Sequence, residues 1–359
     1  MLIIMNATAT DPQIVRVKER IEELGFTAHD IPGRTRLAIG VTGNKNADDR
    51  VYLEGLPGVL QVISVTKPYK LASRDMHPED SVISVQDVKF GDGNVVMIAG
   101  PCAVESRDQT LRITEQVAER GAQMLRGGAY KPRTSPYSFQ GLGEEALKIL
   151  AEAREKTGLP IVTEVVDPNT AVLVGNYVDM LQIGTRNMQN FILLKEVGRV
   201  GKPVLLKRGM SATLDETLMS AEYLMSHGCH DVVICERGVR TFTSHARNTL
   251  DISIIPALKQ VSHLPIIVDP SHSSGRRFSV IPHALAGIGA GADGLIVDVH
   301  DRPEEALCDG PQALPPVEFS ELMKIAKGVC NAMGKSIGNK TNPKFQEPIS
   351  KKYEIERRD

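Results

Sequence analysis

Short apolar runs recur along the chain, and each is followed by an isolated charged or metal-capable residue. The runs VVMIAG, AQMLRGG, LPIVTE, DMLQIGTR, KPVLLKRG, DVVICERG, LPIIVDPSH and DGLIVDVH read as buried strands. They end respectively at Cys102, Arg126, Glu164, Arg186, Lys207, Glu236 with Arg237, Asp269 with His272, and Asp298. Helix-like segments follow them, at 107–120, 143–157, 168–177, 189–197, 213–226, 247–259, 277–290 and 316–333. Strand then helix, repeated eight times, predicts an α/β fold of the (β/α)8 TIM-barrel type. All eight strand ends of such a barrel meet on one face, so residues far apart in sequence share one site.

Ahead of the barrel the order is LIIM, an amphipathic segment from Asp11 to Leu24, FTAHDI, RLAIGVTG, a polar helix near Asn46 to Leu53, and VLQVISVT. That βαββαβ order predicts a small ferredoxin-like domain over 1–66. A polar, proline-bearing linker and a barrel-closing hairpin occupy 67–94, with a break at Gly91-Asp92-Gly93. The barrel itself is expected over 95–335, and a charged, proline-interrupted extension over 336–359.

A barrel of about 250 residues leaves roughly a hundred of the 359 for the other parts. Charged residues make up 24% of the chain and the formal charge is -2, so bulk electrostatics predicts neither a nucleic-acid nor a membrane partner. Five cysteines without paired spacing suit a reducing cytosol, and MLIIM is too short and lacks the basic lead of a signal peptide. A cytoplasmic protein is expected.

The positive charge that changes the picture is local. Arg126, Lys131, Arg133, Arg186, Lys207, Arg208 and Arg237 all fall at or near the rim. Any one alone reads as a solvated loop charge. Crowded together they repel one another and require anionic ligands, and guanidinium forks match phosphate and carboxylate. A second group, Cys102, His272, Asp298 and Asp309, offers sulfur, nitrogen and oxygen donors suited to a divalent transition ion. A lone buried Cys or His is usually structural. The segment KPRTSPYSFQGLG, with its Lys, Arg, Thr and Ser, is suited to hold a phosphosugar and orient its aldehyde.

The motifs GPCAVES, LRGGAYKPRTSPYSFQGLG, QIGTRNMQN, PVLLKRG, CERGVRTF, VDPSHSSGRR and DGPQAL closely resemble the β subgroup of the type I 3-deoxy-D-arabino-heptulosonate 7-phosphate (DAHP) synthases. The resemblance runs from residue 1 to about 335. It implies condensation of phosphoenolpyruvate with erythrose 4-phosphate at the first step of the shikimate pathway to aromatic amino acids. It also implies a phosphoenolpyruvate site of Arg126, Lys131, Arg186, Lys207 and Arg237, and an erythrose phosphate site of Arg133, Thr134 and Ser135 with Asn187 nearby. One divalent metal ion (Mn, Co, Fe, Zn or Cd) is implied at Cys102, His272, Asp298 and Asp309.

Two positions depart from the family pattern: Asp298 stands where Glu is usual, and Thr185 where Ala is common. Asp298 loses one methylene of reach and is expected to ligate still, directly or through a water. Lys131, Glu236 and His272 are the candidates to deprotonate the attacking water, and Glu164 is a candidate acceptor for a clamp arginine. The resemblance further implies a homo-oligomer, with a tetramer favoured, and feedback inhibition by tyrosine or phenylalanine through the N-terminal domain. Two alternatives stand beside this reading. One is 3-deoxy-D-manno-octulosonate 8-phosphate synthase, in which a KANRS-like segment replaces KPRTS; the other is a non-catalytic barrel that senses aromatic amino acids.

Overall fold

The computed structural model describes residues 1–32, 37–43, 50–63 and 67–337. The chain opens with β1 (Leu2–Met5), α1 (Asp11–Glu23), β2 (Thr27–Pro32), β3 (Leu37–Thr42), α2 (Val51–Glu54) and β4 (Val59–Ile63). These strands form an antiparallel sheet in the order β2-β3-β1-β4, the ferredoxin-like arrangement. Helix α1 begins at Thr10, which forms a capping box with Gln13. Its buried Val17 and Ile21 pack with Ile3, Met5, Ile39 and Val41 into the domain's own core. The opposite face of the sheet sets Leu2 and Ile31 against Met76 of the linker. Residues 44–49, the first part of the expected polar helix, lie outside the described residues.

The expected hairpin is β5 (Ile83–Val85) with β6 (Val88–Phe90), and it turns at Gln86, whose φ is +55°. The glycine break at 91–93 comes after the hairpin, not at its turn. From there strand and helix alternate: β7 (Asn94–Gly100), α3 (Arg107–Glu119), β8 (Met124–Arg126), α4 (Glu144–Thr157), β9 (Ile161–Val165), α5 (Ala171–Tyr177), β10 (Met180–Ile183) and α6 (Phe191–Arg199). The second half continues with β11 (Val204–Lys207), α7 (Leu214–Met225), β12 (Val232–Glu236), α8 (Ile254–Val261), β13 (Ile266–Val268), α9 (Pro270–Ser274), α10 (Arg277–Gly289), β14 (Gly294–Asp298) and α11 (Pro316–Ala332).

All neighbouring barrel strands are parallel, and β14 returns to pair with β7 from Gly294↔Val96 to Asp298↔Gly100, which closes the barrel. Alternation along the strands then separates two cores. Val95, Met97 and Ala99 face the helices, whereas Val96 and Ile98 face inward with Met124, Val162, Met180, Leu205, Val233 and Ile267. Hairpin residues Ile83, Val85, Val88 and Phe90 belong to that inner cluster, so β5 and β6 plug the barrel's lower end.

One expected helix is displaced. The segment predicted over 247–259 is helical only as α8, and residues 237–253 form a long loop over the rim. Its backbone donors are satisfied elsewhere, Arg247 N–H at the Ser274 carbonyl (3.0 Å) and Asn248 N–H at the Ser273 carbonyl (2.9 Å). A short final strand, β15 (Ser336–Ile337), pairs with the start of β7, and the rest of the C-terminal extension, 338–359, lies outside the described residues. No helix among the described residues is long and apolar enough to cross a membrane.

Candidate active site

At the upper face the strand ends surround a cavity of about 410 Å³. It is lined by eight cationic side chains, Arg126, Lys131, Arg133, Arg186, Lys207, Arg237, Arg240 and Arg247, against only two carboxylates, Glu164 and Asp309. Arg237 is buried and has no carboxylate partner among the described residues; burial lowers its pKa. A buried, unpaired guanidinium is costly unless an anion compensates it.

Two of the clamps are pre-paired below the cavity. Arg126 donates to Asp298 and Lys207 to Asp269, all four side chains being almost fully buried. Burial opposes the charge on Arg126, but Asp298 together with Cys102, Asp269 and Asp309 outweighs it and raises the pKa. Lys131 donates to the carbonyl oxygen of Cys102 (3.0 Å) and to its Sγ (3.1 Å). Burial opposes this ammonium too, yet the Cys102 and Cys308 sulfurs hold its pKa above the usual lysine value.

Beside these cations the donor atoms of Cys102, His272, Asp298 and Asp309 lie within 4.8 Å of one another. Cys102 Sγ is 3.1 Å from Asp309 Oδ2, and His272 Nε2 is 3.7 Å from Cys102 Sγ, 3.5 Å from Asp298 Oδ2 and 3.6 Å from Asp309 Oδ2. Ligands on opposite sides of one ion at bonds of about 2.0–2.3 Å stand at most about 4.6 Å apart, so the group fits a single divalent ion with small adjustment. Asp298 reaches the group despite its short side chain.

The chain presets the His272 ring. Asp269 caps α9 by accepting from the His272 N–H (2.9 Å), and its Oδ2 lies 2.8 Å from Nδ1. In the neutral imidazole, Nδ1–H donates to that carboxylate and Nε2 is left free as a donor toward the group. Without an ion, burial opposes protonation of the ring, but Asp269 and Asp298 outweigh it and push its pKa up to about 10. The hydrogen bond that the Cys102 thiol donates to Cys308, together with burial, pushes the Cys102 pKa up despite Lys131. An ion therefore has to displace protons from both.

Of the sequence candidates, Glu236, Arg208 and Asn187 do not line the cavity, whereas Arg133, Thr134 and Ser135 do. Glu236 is buried and engaged by Arg208 Nη1 (3.0 Å), the Gly238 N–H (2.6 Å) and the Asp251 N–H (3.2 Å), and burial raises its pKa. Arg208 also donates from Nη1 to Asp251 and from Nε to the Ala212 carbonyl, so this pair braces the rim from behind. Asn187 lies next to the lining residues Thr185 and Arg186, with its Oδ1 accepting from Asn190 at 3.3 Å. Arg133 lines the cavity, and its Nη1 lies 2.6 Å from Cys308 Sγ. Thr134 and Ser135 are exposed at the mouth.

Sequence reasoning passed over Arg240, Arg247, Cys308 and Gln312. Arg247 is expected at the start of a helix, but the chain there is a loop. Cys308 directly precedes Asp309 and sits 3.6 Å from Cys102 Sγ, a proximity that no local spacing announces.

With this geometry in view, comparison with known proteins is decisive. The description "DAHP synthetase I family" matches residues 76–334, and "DAHP synthase ferredoxin-like domain" matches residues 1–67. The chain belongs to the DAHP synthetase I family. It is 48% identical over 338 residues to the phospho-2-dehydro-3-deoxyheptonate aldolase of Thermotoga maritima, covering 93% of this chain and 99% of that protein. The crystal structure of the Thermotoga maritima aldolase aligns with a TM-score of 0.75 at 46% identity, over 94% of this chain and 99% of that one. A 2-dehydro-3-deoxyphosphooctonate aldolase from Syntrophobacter fumaroxidans is 32% identical over 65% of this chain and 86% of its own length. The octulosonate-type relative thus matches about two thirds of this chain, whereas the Thermotoga protein matches nearly end to end.

Proposed function

We propose that this site condenses phosphoenolpyruvate with D-erythrose 4-phosphate and water, giving 3-deoxy-D-arabino-heptulosonate 7-phosphate and inorganic phosphate. The observation that carries the reading is the excess of cations in a cavity that borders a four-donor metal group. Two phosphoryl groups and one carboxylate bring roughly four to five negative charges, which offsets that excess. Arg126, Lys131, Arg186, Lys207 and Arg237 take the enolpyruvate end. Arg133, Thr134 and Ser135 take the sugar phosphate at the mouth, with Asn187 behind them.

Cys102, His272, Asp298 and Asp309 would hold a divalent ion, which when bound would supply Lewis acidity to polarise the aldehyde. The cationic clamps hold C3 of the enol ester against the aldehyde carbon, and the new carbon–carbon bond leaves positive character at C2. Water adds at C2, and the resulting hemiketal phosphate expels phosphate. Lys131, tied to the Cys102 carbonyl oxygen and Sγ, serves as a clamp. Glu236 is already engaged, and His272 has Asp269 at one nitrogen and the metal group at the other.

Glu164 is left as the acceptor of the water's proton. Its carboxylate lines the cavity, its hydrogen-bond partner is Gln182 at 3.4 Å, and it has no ion pair among the described residues. Gly184 makes room for it: a Cβ at 184 would sit 1.9 Å from Glu164 Oε1. Because only the end of a flexible side chain must move, Gly184→Ala should fold normally yet displace the carboxylate and lower kcat by about 10²-fold, the low end for a lost general base. Unchanged kcat in that variant would remove Glu164 from the role.

Phosphate release on mixing the chain with both substrates tests the function. Release should require erythrose 4-phosphate and a divalent ion and should stop with chelator. Release with arabinose 5-phosphate in its place would favour the octulosonate reading, and none with either sugar a sensing barrel. The N-terminal domain is the place for feedback control by tyrosine or phenylalanine. Deleting residues 1–66 is expected to abolish inhibition by either amino acid while turnover persists; inhibition that survives the deletion argues against it. The five cysteines are free and buried, which suits a reducing cytoplasm, and native mass spectrometry tests the expected homotetramer.

A further inference from the structure

We propose that Arg247 is a positioning residue that sets both carboxylates of the metal group from outside it. The proposal deepens the metal reading above and rests on it. Arg247 comes from the long loop over the rim, whose backbone is tied to α9, the helix that carries His272. Its Nη1 lies 3.2 Å from Asp309 Oδ1. Its Nη2 donates to Gln312 Oε1 (3.1 Å) and to the His272 carbonyl (3.4 Å). Gln312 Nε2 in turn donates to Asp298 Oδ2 at 2.9 Å.

One guanidinium therefore grips Asp309 directly and Asp298 through an amide, and it binds the backbone of His272 as well. The side chain of Gln312 has no freedom to flip, because its oxygen must accept from Arg247 for its nitrogen to face Asp298. Asp309 needs such a hold. It adopts φ +57°, a left-handed conformation uncommon outside glycine, and the contact with Arg247 fixes where its carboxylate points.

Arg247 adds little to the stability of the fold, since its side chain is 45% exposed and exposed ion pairs contribute little. Its donors are also largely committed to the metal side, unlike those of Arg186 or Arg237. The planar fork matters: lysine supplies one point of contact and cannot hold Asp309 and Gln312 at once.

Titration of the chelator-treated full chain with Mn²⁺, followed by calorimetry, tests the proposal. Arg247→Met should weaken Mn²⁺ binding by about 10–100-fold, the usual cost of losing an outer hydrogen-bond partner of a metal ligand. Its thermal unfolding without metal should match the wild type. Arg247→Lys should recover part of the affinity, and Gln312→Leu should weaken binding by less than Arg247→Met. Wild-type Mn²⁺ affinity in Arg247→Met overturns the proposal and leaves the metal reading intact. A raised KM for erythrose 4-phosphate at unchanged Mn²⁺ affinity also overturns it, making Arg247 a substrate contact. Absence of Mn²⁺ binding by the wild type overturns the metal reading itself.

Discussion

Replacing His272 by alanine is expected to lower kcat by about 10³-fold while the protein stays folded. Its Nε2 is the nitrogen donor of the group, within 3.7 Å of Cys102 Sγ and closer to both carboxylates. The Lewis acidity of a bound ion contributes several kcal/mol to the barrier, and about 4 kcal/mol corresponds to that factor. Folding should survive, because Asp269 keeps Lys207 as its partner after the imidazole is gone. The KM for phosphoenolpyruvate should change little, since the cations that hold it are untouched. Steady-state kinetics at saturating divalent ion, with a thermal melt of the same preparation, checks both halves. A variant within tenfold of wild-type kcat contradicts the assignment of His272 to the metal group.

The largest effect on stability is expected for Arg126→Met. Asp298 is fully buried, and Arg126 is its charged partner at the end of β8. Without the guanidinium the carboxylate keeps Gln312 as a neutral donor but loses its nearest charge compensation. Breaking a buried pair by removing one side costs about 3–5 kcal/mol, whereas replacing both sides with uncharged groups is often neutral. Chemical denaturation of the metal-free protein should therefore show a loss of that size for Arg126→Met and recovery of most of it in Arg126→Met with Asp298→Asn. If Arg126→Met lies within 1 kcal/mol of wild type, the pair does not carry the stability assigned to it.

These two residues also mark what was legible in the chain. Arg126 and His272 follow apolar runs whose length and composition identify strands, and a closed parallel barrel sends every such residue to the same face. Barrel geometry thus converts local patterns into a site. Direction within the rim is a different matter. Glu236 and Arg237 are adjacent at the end of β12, yet Arg237 lines the cavity and Glu236 is consumed by Arg208 behind it. Alternation along a strand sends neighbours to opposite faces, and where the strand ends a single residue of register decides which one meets substrate.

The loop over 237–253 was harder still. Its apolar residues fit a helical period as far back as Arg247, but the backbone there bonds to α9 instead of to itself. Tertiary hydrogen bonds outweighed local preference, and with the helix went any view of Arg247 as part of the site. Cys308 was hidden for a related reason. It lies after β14 in a stretch of short 3-10 turns, and only the fold brings its sulfur to Cys102. Asp298 was visible as a departure from the family's glutamate, but not its partners: one oxygen on Arg126 and the other on Gln312, near His272.

The most direct test of the central claim, that these scattered donors form one metal centre, is a Co²⁺ titration of the chelator-treated full chain followed by absorbance. A thiolate-to-cobalt charge-transfer band should appear, saturate at one equivalent per chain and be lost in Cys102→Ser. Absence of the band in the wild type, or its persistence in Cys102→Ser, would contradict that claim.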